Sequence, residues 1–164
     1  MIRSALIKRT VSQTLADAGI AGPPVDLDRI AAHEALAIRR KAGLPPRVRA
    51  QYAADTAEIA VTDLDPYLER FPIAHELGHA LLDHGDQLCF AEPAATSVPL
   101  EEADLGVDYE REANDFAGRL LVPGPWLRKA VADGRSIDDM LAMFMATKSV
   151  LLIAIQRERL LARL

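Results

Sequence analysis

The sequence predicts an α+β fold with a short β sheet near the amino terminus, then a helix that carries a His-Glu motif, then further helices. Two patterns lead to this prediction. Three short runs within residues 36–62 have the character of strands and are separated by turn residues. The segments on either side place apolar residues three and four apart, as helices with one buried face do. A length of 164 residues fits one domain, 1–164, so the helical segment 136–164 is expected to pack on it.

The amino-terminal part is expected to contain two helices before the sheet. The first covers residues 3–18 and ends at Gly19. Its apolar stripe consists of Ile7, Val11, Leu15 and Ala18. Asp26 caps a second, shorter helix that runs to about Ala35. The three strands are expected at residues 36–40, 48–53 and 58–62.

The helix that carries the motif is expected to have Pro72 in its first turn and to run to about Leu82. Residues 86–107 show no clear period and contain two prolines and a glycine, so we interpret them as the rim or lid of an active site. Four further helices are expected at residues 108–121, 125–134, 136–145 and 148–162. Ser136 and Asp139 resemble a capping box, with Asp in place of the usual Glu.

Composition indicates a soluble protein. Apolar residues make up 50% and charged residues 26% of the chain, as in ordinary globular domains. No apolar run approaches the roughly 18 residues that a membrane span needs. Charges interrupt the apolar residues at the amino terminus, unlike the core of a signal peptide. The single cysteine, Cys89, allows no internal disulfide, so cytoplasmic residence without membrane association is predicted.

The charge distribution argues against a nucleic-acid-binding protein but leaves an acidic region to interpret. The net charge is −5, and between Asp83 and Asp115 ten acidic residues accompany one basic residue, Arg111. Two interpretations stay open for this region. It is either a solvated loop or a surface that favours a basic partner or peptide.

The residues that carry chemistry are His75-Glu76-Leu77-Gly78-His79. Two histidines four apart lie on one face of a helix, so both imidazoles can reach one metal ion. The glutamate between them can take a proton from a water on that ion. A glycine inside the helix is either tolerated or allows another helix to approach closely, and we favour the close approach.

A catalytic zinc needs a third protein ligand and an open position. The candidates after the motif are His84, Asp108, Glu110, Glu112 and Asp115. Glu110 and Asn114 are four apart and share a helix face, so Glu110 can bind the metal while Asn114 orients a ligand histidine. Glu112 is expected on a different, exposed face, and His84 is expected to be a surface or helix-end histidine.

Two segments resemble the ImmA/IrrE family of zinc metallopeptidases: residues 70–82, RFPIAHELGHALL, and residues 110–123, EREANDFAGRLLVP. Pro72 stands where the family pattern usually has Thr, and Val122 where it usually has Met. The resemblance implies a small zincin-like, gluzincin-type domain. It also implies zinc held by His75, His79 and Glu110, with Glu76 as the general base.

The family resemblance further implies cleavage of a peptide bond in a protein substrate, a DNA-binding repressor of the helix-turn-helix type. Tyr109 and Arg111 are candidates for the donor that stabilises the oxyanion, and Tyr67 and His84 are further candidates. The strand at 58–62 is expected to hold an extended substrate by strand addition.

Two alternatives stay open from the sequence. In the first alternative, the chain is a non-catalytic, zinc-containing module that binds a repressor or a toxin–antitoxin component stoichiometrically. A weaker alternative is direct DNA contact through a helix-turn-helix at residues 136–162, although apolar residues crowd its second helix. We therefore expect that second helix to pack on the domain.

Overall fold

The computed structural model describes the backbone of residues 2–84, 87–90 and 104–163, and the side chains of residues 2–84 and 108–163. In these residues the chain forms seven α helices and a four-stranded sheet, which confirms the α+β prediction. The helices are α1 (Ser4–Asp17), α2 (Leu27–His33), α3 (Arg70–Leu81), α4 (Asp104–Leu121), α5 (Gly124–Ala132), α6 (Ile137–Phe144) and α7 (Lys148–Arg157). The strands are β1 (Ala37–Arg39), β2 (Val48–Ala53), β3 (Glu58–Val61) and β4 (Gln87–Phe90).

The two amino-terminal helices form as their sequence patterns predict. The predicted stripe of α1 is buried throughout and packs against α4. The side chain of Asp26 accepts a hydrogen bond of 2.9 Å from the backbone N–H of Arg29, which satisfies one of the free donors at the start of α2.

The sheet has the strand order β1-β3-β2-β4. β1 pairs with β3 in parallel, whereas β2 runs antiparallel to both β3 and β4. The prediction that the strand at 58–62 offers a free edge to substrate is wrong, because β3 is hydrogen-bonded on both sides. In the described part of the chain, β1 and β4 are the edges of the sheet.

Strand β4 corrects the interpretation of residues 86–107 as one irregular rim or lid. Its four residues form a strand because they pair with β2, with a register shift between Val48 and Ala50. Helix α4 begins at Asp104 and not at 108. The remainder of the predicted rim, residue 86 and residues 91–103, lies outside the described residues.

Helix α3 lies between the sheet and α4, so the motif is placed at the centre of the domain. Gly78 allows this packing. A Cβ atom built there would lie 3.1 Å from the Cα of Ala113 and 3.1 Å from the ring of Phe116. The expected close approach of another helix is therefore confirmed, and that helix is α4, which carries Glu110.

The carboxy-terminal helices pack on this core. Ser136 and Asp139 form the predicted capping box at the start of α6. Helix α7 contacts α4, α5 and α6 and buries Val150, Leu151, Ala154 and Ile155. Its outer face exposes Leu152 and Ile153, which are apolar and unsuited to phosphate contact.

None of the helices in the described part of the chain has the length and apolar character of a membrane span.

Candidate metal centre

Helix α3 carries three polar side chains into the interior. The exposed fraction is 1% for His75 and 0% for both Glu76 and His79. Buried polar groups need partners, because each loses its hydration on folding. The surroundings of these three side chains therefore decide what the site can do.

Helix α4 supplies Glu110, whose carboxylate contacts the Nε2 atoms of both histidines. Nε2 of His75 and Nε2 of His79 are 2.9 Å apart. Oε2 of Glu110 lies 3.3 Å from Nε2 of His75, and Oε1 of Glu110 lies 3.2 Å from Nε2 of His79. The Glu110 side chain is 40% exposed, so the cluster opens toward solvent on the Glu110 side.

The donor set fits zinc. Zinc bonds of about 2.0–2.2 Å in a tetrahedral site separate neighbouring ligand atoms by about 3.3–3.6 Å. The contacts of Glu110 with His75 and His79, at 3.3 and 3.2 Å, are close to this range, and the contact between the two histidine nitrogens is shorter at 2.9 Å. All these atoms lie within 4.8 Å of one another. Two histidines and one glutamate leave a fourth position for water, as catalytic zinc sites do.

Each histidine uses its other nitrogen to fix its ring. Nδ1 of His75 is 2.9 Å from Oδ1 of Asn114, one turn after Glu110 on α4. Nδ1 of His79 is 3.1 Å from Nδ1 of His84. Both contacts leave Nε2 directed at the cluster, which is the orientation that a ligand histidine needs.

The cluster is electrostatically coupled. Burial alone would raise the pKa of Glu110, but hydrogen bonds and charge from His75 and His79 outweigh burial and lower this pKa to about 2. Burial alone would lower the pKa of His75, but Glu110, Glu76 and Asn114 outweigh burial and raise it. Burial lowers the pKa of His79. The glutamate is therefore an anion at neutral pH, and it faces two imidazoles.

Glu76 lies on the sheet side of α3. Its Oε2 accepts a hydrogen bond of 2.9 Å from the backbone N–H of Tyr52 in β2. The Glu76 charge also acts on His75. A fully buried carboxylate thus lies on the same helix as the two histidines of the cluster.

The expectations that Glu112 is exposed and that His84 lies at the surface are wrong, although His84 does follow the end of α3. Glu112 is 2% exposed and accepts hydrogen bonds of 2.6 to 3.1 Å from Arg3, and His84 is 6% exposed. Glu112 does face away from Glu110, but that second face of α4 is covered by α1. The sequence signal for burial of Glu112 is its position one turn before the buried Phe116.

The structure separates the four candidates for the oxyanion donor. Tyr109 stacks on His84 with ring centroids 4.4 Å apart and a tilt of 19°. Arg111 is 64% exposed. The hydroxyl of Tyr67 donates to the carbonyl of Ala146. Both nitrogens of His84 are within hydrogen-bond distance of other side chains, Nδ1 of His79 and Glu112, so His84 is poorly suited to the role. The role of Tyr109 or Arg111 as oxyanion donor stays a prediction.

Comparisons with known proteins agree with the motif. The family model described as Peptidase_M78, IrrE N-terminal-like domain, matches residues 38–155. No curated protein matches the chain in sequence. Among solved structures, a Mycobacterium tuberculosis transcriptional regulator is similar in fold, with a TM-score of 0.62, 20% identity and 95% coverage of this chain. The chain spans about half of that protein, 46% of its length.

Proposed function

This chain belongs to the IrrE N-terminal-like domain family, Peptidase_M78, and from that membership we propose that it is a zinc-dependent endopeptidase that cleaves a DNA-binding repressor. The convergence of His75 Nε2, His79 Nε2 and the Glu110 carboxylate carries this proposal. A donor set of this kind, beside a buried glutamate, is the one that metallopeptidases use.

The three converging residues would hold the metal. When bound, zinc would supply Lewis acidity, which lowers the pKa of a coordinated water and polarises the scissile carbonyl. Asn114 and His84 contact the Nδ1 atoms of the two ligand rings, which leaves both Nε2 atoms for the metal. The exposed side of Glu110 gives water and an extended peptide their access to the cluster.

Glu76 would move the proton. Its carboxylate accepts a proton from the attacking water and delivers it to the nitrogen of the leaving amine. Tyr52 fixes the carboxylate through the backbone, so Glu76 is held in place before the substrate binds. Burial strengthens the interaction of this charge with its surroundings because little water screens it.

The substrate assignment is supported by the family resemblance and by charge. The mycobacterial neighbour of similar fold is named a transcriptional regulator. Asp83 and Asp108 stand beside His84 and Tyr109 in the sequence and are negatively charged, and the chain as a whole carries −5. DNA-binding repressors present basic segments, which such a surface attracts.

A comparison of the wild-type protein with Glu76→Gln tests the catalytic part. Each zinc-loaded protein is incubated with a proteome-derived peptide library, and new amino termini are quantified by mass spectrometry. We expect cleavage by the wild type, none by Glu76→Gln, and equal zinc content by atomic emission. Gln keeps an oxygen for the Tyr52 N–H, so the fold should be preserved. Equal cleavage by both proteins would overturn the assignment of Glu76.

A second experiment tests the substrate. Helix-turn-helix repressors encoded beside this gene are incubated with each protein and then assayed for DNA binding by mobility shift. Loss of DNA binding with cleavage by the wild type alone supports the proposal. Loss of DNA binding without cleavage, by the wild type and Glu76→Gln alike, would favour the non-catalytic binding module.

A further inference from the structure

We propose that His84 and Glu112 position the metal ligand His79 through a directed chain of hydrogen bonds, which Arg3 anchors at the start of α1. This inference rests on the proposed metal site. It adds three residues that the motif does not contain, and one of them, Arg3, lies outside the segment matched by the family model.

The hydrogen bonds of this chain have only one direction if His79 binds metal through Nε2. A neutral imidazole that uses Nε2 as a ligand carries its proton on Nδ1. That proton can only be donated to Nδ1 of His84, 3.1 Å away. His84 must then carry its own proton on Nε2, which is 3.0 Å from Oε2 of Glu112, an acceptor. Each donor between His79 and Glu112 therefore meets an acceptor. Nη2 of Arg3 also lies 3.1 Å from Nε2 of His84, and it donates to Oε2 of Glu112 at 2.6 Å.

Arg3 fixes the far end of the chain. Its backbone N–H donates to Oε1 of Glu112 at 2.8 Å, and its guanidinium donates to both carboxylate oxygens. Arg3 is the amino-terminal cap residue of α1. The carboxylate is thus held by α1 from one side and directed at His84 from the other.

Burial makes this chain sensitive to change. His84 and Glu112 are 6% and 2% exposed, so water cannot readily replace a lost partner. Tyr109 stacks on the ring of His84 and restricts its rotation. Partners that orient a ligand histidine affect metal affinity by about 10- to 100-fold.

Substitutions at His84 can distinguish a role in orienting His79 from a role in packing against Tyr109. His84→Phe keeps the ring and its stacking on Tyr109 but removes both nitrogens. His84→Asn keeps an acceptor near the position of Nδ1. We expect the zinc affinity, measured by competition with a chelating dye, to fall about 10- to 100-fold in His84→Phe and to be partly restored in His84→Asn.

The control lies on the same helix. Asp115 pairs with Arg119 at 2.9 Å on α4 and has no described contact with His79. Asp115→Asn should leave the zinc affinity unchanged. The visible absorption of the Co²⁺-substituted protein should shift in His84→Phe and not in Asp115→Asn, because only the first alters the orientation of a ligand.

A double-substitution cycle tests whether Glu112 acts through His84. Glu112→Gln should lower zinc affinity several-fold in the wild-type background and have no further effect in His84→Phe. If the wild type binds zinc and His84→Phe binds it equally well, the positioning chain is wrong. If the wild type binds no zinc, the proposed function itself fails, so the two failures are distinguishable.

Discussion

The backbone N–H of Tyr52 donates a hydrogen bond of 2.9 Å to Oε2 of Glu76, which joins the sheet to the motif helix. Tyr52 is opposite Ile59 of β3 and Gln87 of β4, so its backbone is held by strands on both sides. A donor in the middle of a sheet cannot rotate away. The separation of β2 and α3 therefore fixes where this carboxylate lies.

Shortening the carboxylate should reduce catalysis without releasing metal. In Glu76→Asp the carboxylate is withdrawn by about one methylene length, so the hydrogen bond to Tyr52 and the alignment with water are lost. We expect the cleavage rate to fall at least about 100-fold, since a displacement of about 1 Å can cost that much. Zinc content by atomic emission should not change. A rate equal to that of the wild type would show that the position of Glu76 is unimportant.

Asn114 should affect zinc affinity through His75. Asn114→Ala removes the acceptor that lies 2.9 Å from Nδ1 of His75, so that ring loses its orientation. We expect a loss of about 10- to 100-fold in zinc affinity, measured by dye competition. Asn114→Asp keeps an acceptor oxygen and is the matched control. Equal affinities in the wild type and Asn114→Ala would contradict the role of Asn114.

Substitution by alanine should change the stability of the protein in opposite directions at two helical glycines, Gly118 and Gly78. In most helix interiors this substitution stabilises by roughly 0.5–1 kcal/mol. At Gly118 a new Cβ would lie 3.6 Å from Nη1 of Arg157, an ordinary contact, so we expect that gain. At Gly78 the Cβ would meet the backbone of Ala113 at 3.1 Å. Since α3 and α4 must then separate, we expect lower stability and weaker zinc binding.

Urea unfolding of the two variants measures this difference. Gly118→Ala should shift the midpoint upward and leave zinc affinity unchanged. A stabilised Gly78→Ala protein with wild-type zinc affinity would show that the two helices tolerate the extra methyl group.

The helices and the metal cluster could be predicted because each depends on residue spacing within a short stretch of sequence. The spacing of His75 and His79 defines one helix face, and Glu110 and Asn114 define another. Both pairs then meet in the structure, because the histidines face α4 across the narrow contact at Gly78. Local periodicity thus placed each ligand on its face, and the family pattern selected Glu110.

The environment of Glu112 could not be predicted in the same way. Helical spacing correctly separates its face from that of Glu110, but whether this second face is exposed depends on α1, more than a hundred residues earlier in the chain. The strand β4 is a similar case. Its four residues have no strong alternation of their own, and they are a strand because β2 offers a pairing edge.

Removal of metal should destabilise the protein through the His75, His79 and Glu110 cluster. A ligand that binds only the folded state at about 1,000 times its Kd adds roughly 4 kcal/mol to stability. For a domain of this size that corresponds to roughly 10 °C in Tm. We expect scanning calorimetry to show a decrease of this order when a chelator is added. Glu110→Ala should show little or no response to the chelator, and an equal response would contradict the proposed ligand set.

The capping box of α6 should make a small part of the stability sensitive to acid. Hydrogen bonds from the side chain and backbone of Ser136 lower the pKa of Asp139 below its ordinary value of 3.8. A carboxyl group with a lowered folded-state pKa stabilises the fold above its ordinary pKa. This contribution disappears as the pH falls through the folded value.

Asp139→Asn should therefore reduce the difference in urea midpoint between about pH 6 and about pH 3. The metal-free protein is used at both values, so that loss of metal in acid does not contribute. Asp138→Asn removes the neighbouring carboxylate but keeps the box, and it is the matched control. An identical pH dependence in the two variants would show that the Ser136–Asp139 hydrogen bonds add no acid-sensitive stability.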